Sequence, residues 1–134
     1  MTTTDPIADR LDNAGRFDEI DRTVDGWTTV CPLDRLTPDR GMAALVGGVA
    51  VAVFRLSTGE LYAIGNLDPF SGASVLSRGL VGDANGAPTV ASPLYKQRFD
   101  LRTGICLDDP EFSVPVFSVE VLDGAVRVRR AAPS

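Results

Sequence analysis

The chain has 134 residues, of which 44% are apolar and 23% charged, and a formal net charge of −5. That is the length of one domain, with enough apolar content for a core that needs no metal or disulfide staple. The acidic balance argues against nucleic acid and anionic membrane surfaces, because phosphate contacts need clustered Lys and Arg, and no apolar run approaches the ~20 residues of a membrane span.

Residues 1–25 are polar with scattered apolar positions. Asp5-Pro6 could cap a short helix with Ile7 and Leu11 one turn apart and Gly15 at its end, but a flexible or partly docked tail is the preferred expectation. The segment lacks the basic start and apolar stretch of a secretory signal, so a cytoplasmic chain is expected.

From residue 26 to 130 the texture is short β-rich runs broken by turns, with a brief tail at 131–134. Gly47-Gly48 separates MAALV from VAVFRL, and Thr58-Gly59 turns VAVFRL back into LYAIG. RFDL and ICL flank Thr103-Gly104, and Asp123-Gly124 lies between SVEV and AVRVR, a strong hairpin signal. Val126 and Val128 fall on one face of the last run, Arg127 and Arg129 on the other. GDANGAP, residues 82–88, has almost pure turn composition and reads as a surface insertion. No helical period of useful length appears. The expected fold is all-β: an antiparallel sandwich or small barrel.

Two stretches break the hairpin rhythm: residues 65–82 (GNLDPFSGASVLSRGLVG) and the loop at 91–98 that contains SPLYKQR. Long loops on a rigid β scaffold are where function is usually presented. The chemistry available to them is limited because the chain has no histidine. That removes Ser-His-Asp and Cys-His catalysis and imidazole metal sites. Cys31 and Cys106 read as free thiols in a reducing compartment, with a structural disulfide as the lesser alternative. Asp108-Asp109-Pro110-Glu111 is either a hard-cation site or a solvated acidic turn, the second being preferred. Arg127, Arg129 and Arg130 either meet an acidic partner or, on an edge strand, discourage strand pairing.

Asn66-Leu67-Asp68-Pro69 and Ser92-Pro93-Leu94-Tyr95-Lys96, followed by RFDLRTG, resemble the two ligand loops of the Rieske iron–sulfur domain. That family reads Cys-x-His in the first loop and Cys-Pro-x-His in the second, which runs into a Phe-Asp-x-x-Thr-Gly hairpin. Asn66 falls at the first cysteine, Asp68 at the first histidine, Ser92 at the second cysteine and Tyr95 at the second histidine. A Rieske centre needs two thiolates and two imidazoles, and these four replacements do not suit a soft iron–sulfide cluster.

Over residues 27–130 the chain is similar, more narrowly, to the small subunits of assimilatory NAD(P)H-dependent nitrite reductase. The resemblance implies an accessory subunit with no catalytic, cofactor-binding or metal-binding residues of its own. It would be paired with a large subunit that carries FAD, [4Fe–4S] and sirohaem and reduces nitrite to ammonia. It also implies that Asp68 and Tyr95 lie close together, and a hydrogen bond between them is the expected tie across the former cluster position. Tyr95, Lys96 and Arg98 are the candidate partner contacts, weighed against a solvated loop edge. Phe70, Leu76, Leu80 and Leu94 either fill the cluster's space or form an exposed patch. The alternatives are a Rieske-type ferredoxin and a stand-alone binding module.

Overall fold

The structure, a computed structural model, describes residues 23–24 and 26–130. Ten strands occur among these residues: β1 Thr23–Val24, β2 Trp27–Pro32, β3 Arg40–Val46, β4 Val49–Arg55, β5 Leu61–Gly65, β6 Leu80–Ala84, β7 Ala87–Ala91, β8 Arg98–Asp100, β9 Val116–Leu122 and β10 Ala125–Arg130. Single 3₁₀ turns at Leu33–Arg35 and Leu76–Arg78 are the helical elements. β1 pairs with β2, so strand pairing begins before residue 26. The possible helix at 5–15, the rest of the N-terminal segment and residues 131–134 lie outside the described residues.

The sequence VAVAVFR of β4 explains how these strands are layered. A strand with one wet face alternates apolar and polar residues, whereas a strand covered on both faces reads as an unbroken apolar run. In β4, Val51 and Val53 point into one core and Ala52 and Phe54 into another, and all four are fully buried. β5 repeats the pattern, with Ala63 on the first side and Ile64 on the second. The first core fills the inside of a seven-stranded antiparallel sheet, ordered β1-β2-β10-β9-β5-β4-β3, which curls into a nearly closed barrel. The second lies between the outer face of β4–β5 and a three-stranded sheet, β6-β7-β8, which contributes Val90 and Phe99.

The hairpins expected at Gly47-Gly48, Thr58-Gly59 and Asp123-Gly124 are present. Around Gly104 the return of RFDL is a single bridge, Phe99 to Cys106, rather than a full strand pair. Gly104 has φ +77, and a Cβ there would lie 2.1 Å from the Val114 carbonyl oxygen. Only glycine fits both conditions.

Two expectations are corrected. GDANGAP is not an insertion: it carries the β6–β7 hairpin, with Gly82 and Asp83 paired to Thr89 and Pro88. Asn85 (φ 54) and Gly86 (φ 91) form its two-residue turn, the Asn-Gly pair that favours such a hairpin. The Arg127–Arg130 strand is not an edge, because β10 lies between β2 and β9. Its arginines therefore guard no open edge. Arg127 pairs with Glu120, and Arg127 and Arg129 stack on the Trp27 ring at 5.1 and 4.4 Å.

Cys31 belongs to the barrel core and Cys106 to the core between the sheets, and both are free thiols. Burial pushes the Cys31 thiol up to about 11, against the pull of Arg35, with Asp34 adding to the rise. Little reactive thiolate therefore exists near neutral pH. Modification of Cys31 by a thiol reagent at pH 8 is expected to follow global unfolding, read by mass spectrometry against urea. Phe54→Ala, which empties a fully buried site, should cost about 3–5 kcal/mol in urea unfolding. Leu45→Ala, at a residue 55% exposed, should cost less than about 0.5 kcal/mol.

Candidate functional site

Two loops meet at one end of the small sheet. The first leaves β5 at Asn66 and returns through Leu76–Arg78, and the second leaves β7 at Ser92 and enters β8 at Arg98. Asn66 closes the first loop on itself. Its side-chain oxygen accepts the Ser77 N–H at 2.7 Å, its side-chain nitrogen donates to the Ser74 carbonyl at 3.3 Å, and its own carbonyl accepts from Leu76 at 3.1 Å. One amide thus satisfies backbone groups at both ends of an irregular segment that would otherwise be left unpaired.

Asp68 is fully buried. One carboxylate oxygen accepts the Phe70 N–H at 2.9 Å, and the other accepts the Ser92 hydroxyl at 2.6 Å. The second bond joins the two loops side chain to side chain, and its length is typical of a hydroxyl donating to a carboxylate. Ser92 also organises its own loop. Its N–H donates to the Gln97 carbonyl at 2.9 Å, its carbonyl accepts from Lys96 at 3.0 Å, and its hydroxyl accepts the Leu94 N–H at 3.3 Å.

This corrects the expectation that Tyr95 would bond Asp68. The tie exists, but Ser92 makes it. The tight Ser92–Lys96 closure, with Lys96 at φ 69, carries Tyr95 to the loop's outer side, where it is 58% exposed. Ser92 lies at the end of β7 and needs only its short hydroxyl to reach the carboxylate.

The four former ligand positions therefore hold a buried amide, a buried carboxylate, a buried hydroxyl and an exposed phenol. Their polar atoms are engaged with one another and with backbone, apart from Tyr95, which faces away. Such hard oxygen and nitrogen donors do not fit a [2Fe–2S] cluster, which needs thiolates and imidazoles. Ser92 and Asp68 do not form a nucleophile pair either. Ser92 is 1% exposed, and no base stands between its hydroxyl and Asp68 to activate it.

Arg98 is turned into the fold's own support. Its guanidinium forks onto Asp108 at 2.9 and 3.2 Å, and its N–H donates to the same carboxylate at 2.8 Å. Asp109 accepts from the Glu111 N–H at 3.4 Å, so the acidic run is a turn braced by Arg98. The described residues contain no group of three acidic, cysteine or histidine side chains placed to share a metal ion. The hydrophobic residues divide. Leu76 is fully buried, and Phe70 packs on Phe99 and Phe112 at centroid distances of 6.3 and 4.4 Å. Leu80 and Leu94 point outward, 79% and 52% exposed. Leu67, also 52% exposed, was not singled out by the sequence. Its position between two buried polar residues in Asn66-Leu67-Asp68 was the available signal.

Ser92→Ala should destabilise the chain by about 1–3 kcal/mol, because it strands a buried carboxylate oxygen. Tyr95→Phe should leave the urea midpoint unchanged. Equal effects would contradict the assignment of the tie. The bonds from Arg98 hold the Asp108 carboxyl below its ordinary value. Burial pushes Asp100 up, but the Arg102 side chain and backbone outweigh it and hold Asp100 low as well. Carboxyls lowered in the fold stabilise it above the ordinary carboxylate range, and that contribution is lost as pH falls through their lowered values. Arg98→Met should therefore flatten part of the stability decline below about pH 4, by a small amount because the pair is largely exposed.

Residues 26–129 match the Rieske-like [2Fe-2S] domain family. The chain is 47% identical over 104 residues to the nitrite reductase (NADH) small subunit of Salmonella typhimurium, covering 77% of this chain and 96% of that protein. It is 46% identical over 102 residues to the nitrite reductase [NAD(P)H] large subunit of Klebsiella oxytoca, where the match covers 76% of this chain but 11% of that longer protein. The solution structure of the nitrite reductase [NAD(P)H] small subunit from Erwinia carotovora superposes with a TM-score of 0.69 at 45% identity, covering 83% of this chain and 86% of that one. The chain belongs to the Rieske-like [2Fe-2S] domain family and, within it, groups with the small subunits of NAD(P)H-dependent nitrite reductase.

Proposed function

We propose that the chain is a cluster-free accessory subunit of a cytoplasmic NAD(P)H-dependent nitrite reductase, acting on a large subunit that carries FAD, [4Fe–4S] and sirohaem and reduces nitrite to ammonia. The single observation that carries this reading is the 2.6 Å Ser92–Asp68 hydrogen bond. It closes the two loops where members of the wider family hold their metal, on a chain that groups with nitrite reductase small subunits. The match inside a Klebsiella oxytoca large subunit supports the partnership, since there the same domain is part of the larger chain. The role of this chain's residues is positional. The buried ties of Asn66, Asp68 and Ser92 hold the two loops, and Leu67, Leu94, Tyr95 and Lys96 are presented outward at their tip. Tyr95 and Lys96 are the contacts with the large subunit. Arg98 supports them from behind through Asp108.

The test is reconstitution. The purified chain should be colourless and free of iron and sulfide, and NADH-driven nitrite reduction by the purified large subunit should rise when the chain is added. Full activity of the large subunit alone would sink the accessory role, and stoichiometric iron–sulfide in this chain would sink the cluster-free assignment. A Tyr95→Ala, Lys96→Glu double variant should need about tenfold more chain for half-maximal stimulation, with an unchanged plateau.

A further inference from the structure

Strand β6 has β7 on one side and no strand on the other among the described residues. A groove follows that open side. It consists of two clefts of about 410 and about 370 Å³ that share Asp39, the first beside Leu80 and the second beside Val81, Gly82 and Asp83. An unpaired strand edge is a template for another extended segment, and proteins usually blunt such edges with lysine, arginine or proline. LVGDA of β6 has none of these, and Leu80 at its start is 79% exposed.

The groove is electrostatically polar. Arg40 and Arg78 line the Leu80 end. Neither makes an ion pair, hydrogen bond or ring contact among the described residues, whereas Arg55, Arg98, Arg102, Arg127 and Arg129 are all engaged. Glu60 and Asp83 line the far end. The floor between is rigid backbone: a Cβ on Gly41 would lie 2.4 Å from the Ser77 carbonyl oxygen, and one on Gly79 would lie 2.3 Å from that of Ala91.

We infer that this groove receives an extended segment of the nitrite reductase large subunit, added along β6 with a carboxylate between Arg40 and Arg78 and a basic residue toward Glu60 and Asp83. The inference rests on the accessory-subunit reading and deepens it. The groove is too large for nitrite alone, and its apolar rim at Leu80 suits a polypeptide. It is continuous with the proposed contact tip, because Leu80 pairs with Ala91, the residue before Ser92, and the Ser77 N–H bonds Asn66. It also lies within the matched domain, 26–129, which the large subunit of Klebsiella oxytoca carries within its own chain. An occupant shared by the family is therefore favoured over residues 1–22 of this chain, which lie outside the match.

The experiment measures binding of the purified full chain to the purified large subunit by calorimetry, at low and high salt, with hydrogen exchange of β6 in the complex. The Arg40→Glu, Arg78→Glu double variant should bind at least about tenfold more weakly at low salt, and Arg130→Glu should bind like wild type. Amides of residues 80–84 should exchange more slowly in the wild-type complex, an outcome that does not depend on any variant folding. Wild-type binding with an unaffected double variant, or with unchanged β6 exchange, overturns the groove alone. Absence of wild-type binding overturns the accessory reading and the groove with it. Deletion of residues 1–22 that tightens wild-type binding shows the groove held by the chain's own segment, and nitrite binding to the isolated chain that the double variant abolishes shows a small-anion site. Either result overturns the proposal.

Discussion

Strand β4 is buried on both faces, and the rest of the molecule is arranged around that constraint. Val51 and Val53 need the barrel, and Ala52 and Phe54 need the small sheet. At roughly 1.5–3 kcal/mol for each large apolar side chain removed from water, neither core is dispensable. β5 lies beside β4 with the same double burial, and the first candidate loop starts where β5 ends, at Asn66. The second loop starts where β7 leaves the small sheet. The two loops meet because the core between the sheets holds the small sheet against β4 and β5.

Within that frame the loops need a tie of their own. In a Rieske centre, four protein bonds to a cluster perform that task. Here it falls to one hydroxyl–carboxylate hydrogen bond and the backbone bonds collected by Asn66, Asp68 and Ser92. Each is worth about 1 kcal/mol net, far less than metal ligation, yet each is costly to break because the groups are buried. A surface of Leu67, Leu94, Tyr95 and Lys96 stands on that buried polar layer. Arg98 and Asp108 brace its base. The site is a scaffold for contact rather than for chemistry, since its reactive side chains are either committed to each other or exposed without a partner group to activate them.

Much of the fold was legible because its signals are local. Asp123-Gly124 and Gly47-Gly48 specify their turns through positive φ, and Val126 and Val128 declare a buried face by period alone. Asn85-Gly86 carries the same turn signal but was obscured by the small and polar residues around it, which pair as strands because Val90 and Phe99 behind them are anchored in the core. The internal place of β10 was not legible, since strand order depends on which distant strands come to flank it. The loop residues were identified by their resemblance to a motif, but their roles were not. Tyr95 looked like the natural partner for Asp68, and Ser92 took that place.

The sequence by itself determined an all-β domain, the absence of imidazole chemistry and the substitution of all four Rieske ligand positions, because composition, turn chemistry and residue identity are properties of the chain read locally. Only the tertiary structure decided that Ser92 rather than Tyr95 bonds Asp68, that Arg98 is spent on Asp108, and that Arg40, Arg78 and Leu80 share a groove along an open strand edge. Those outcomes depend on which side chains, distant in sequence, reach one another once two cores have formed on opposite faces of β4, and on burial that commits some polar groups and leaves others facing solvent.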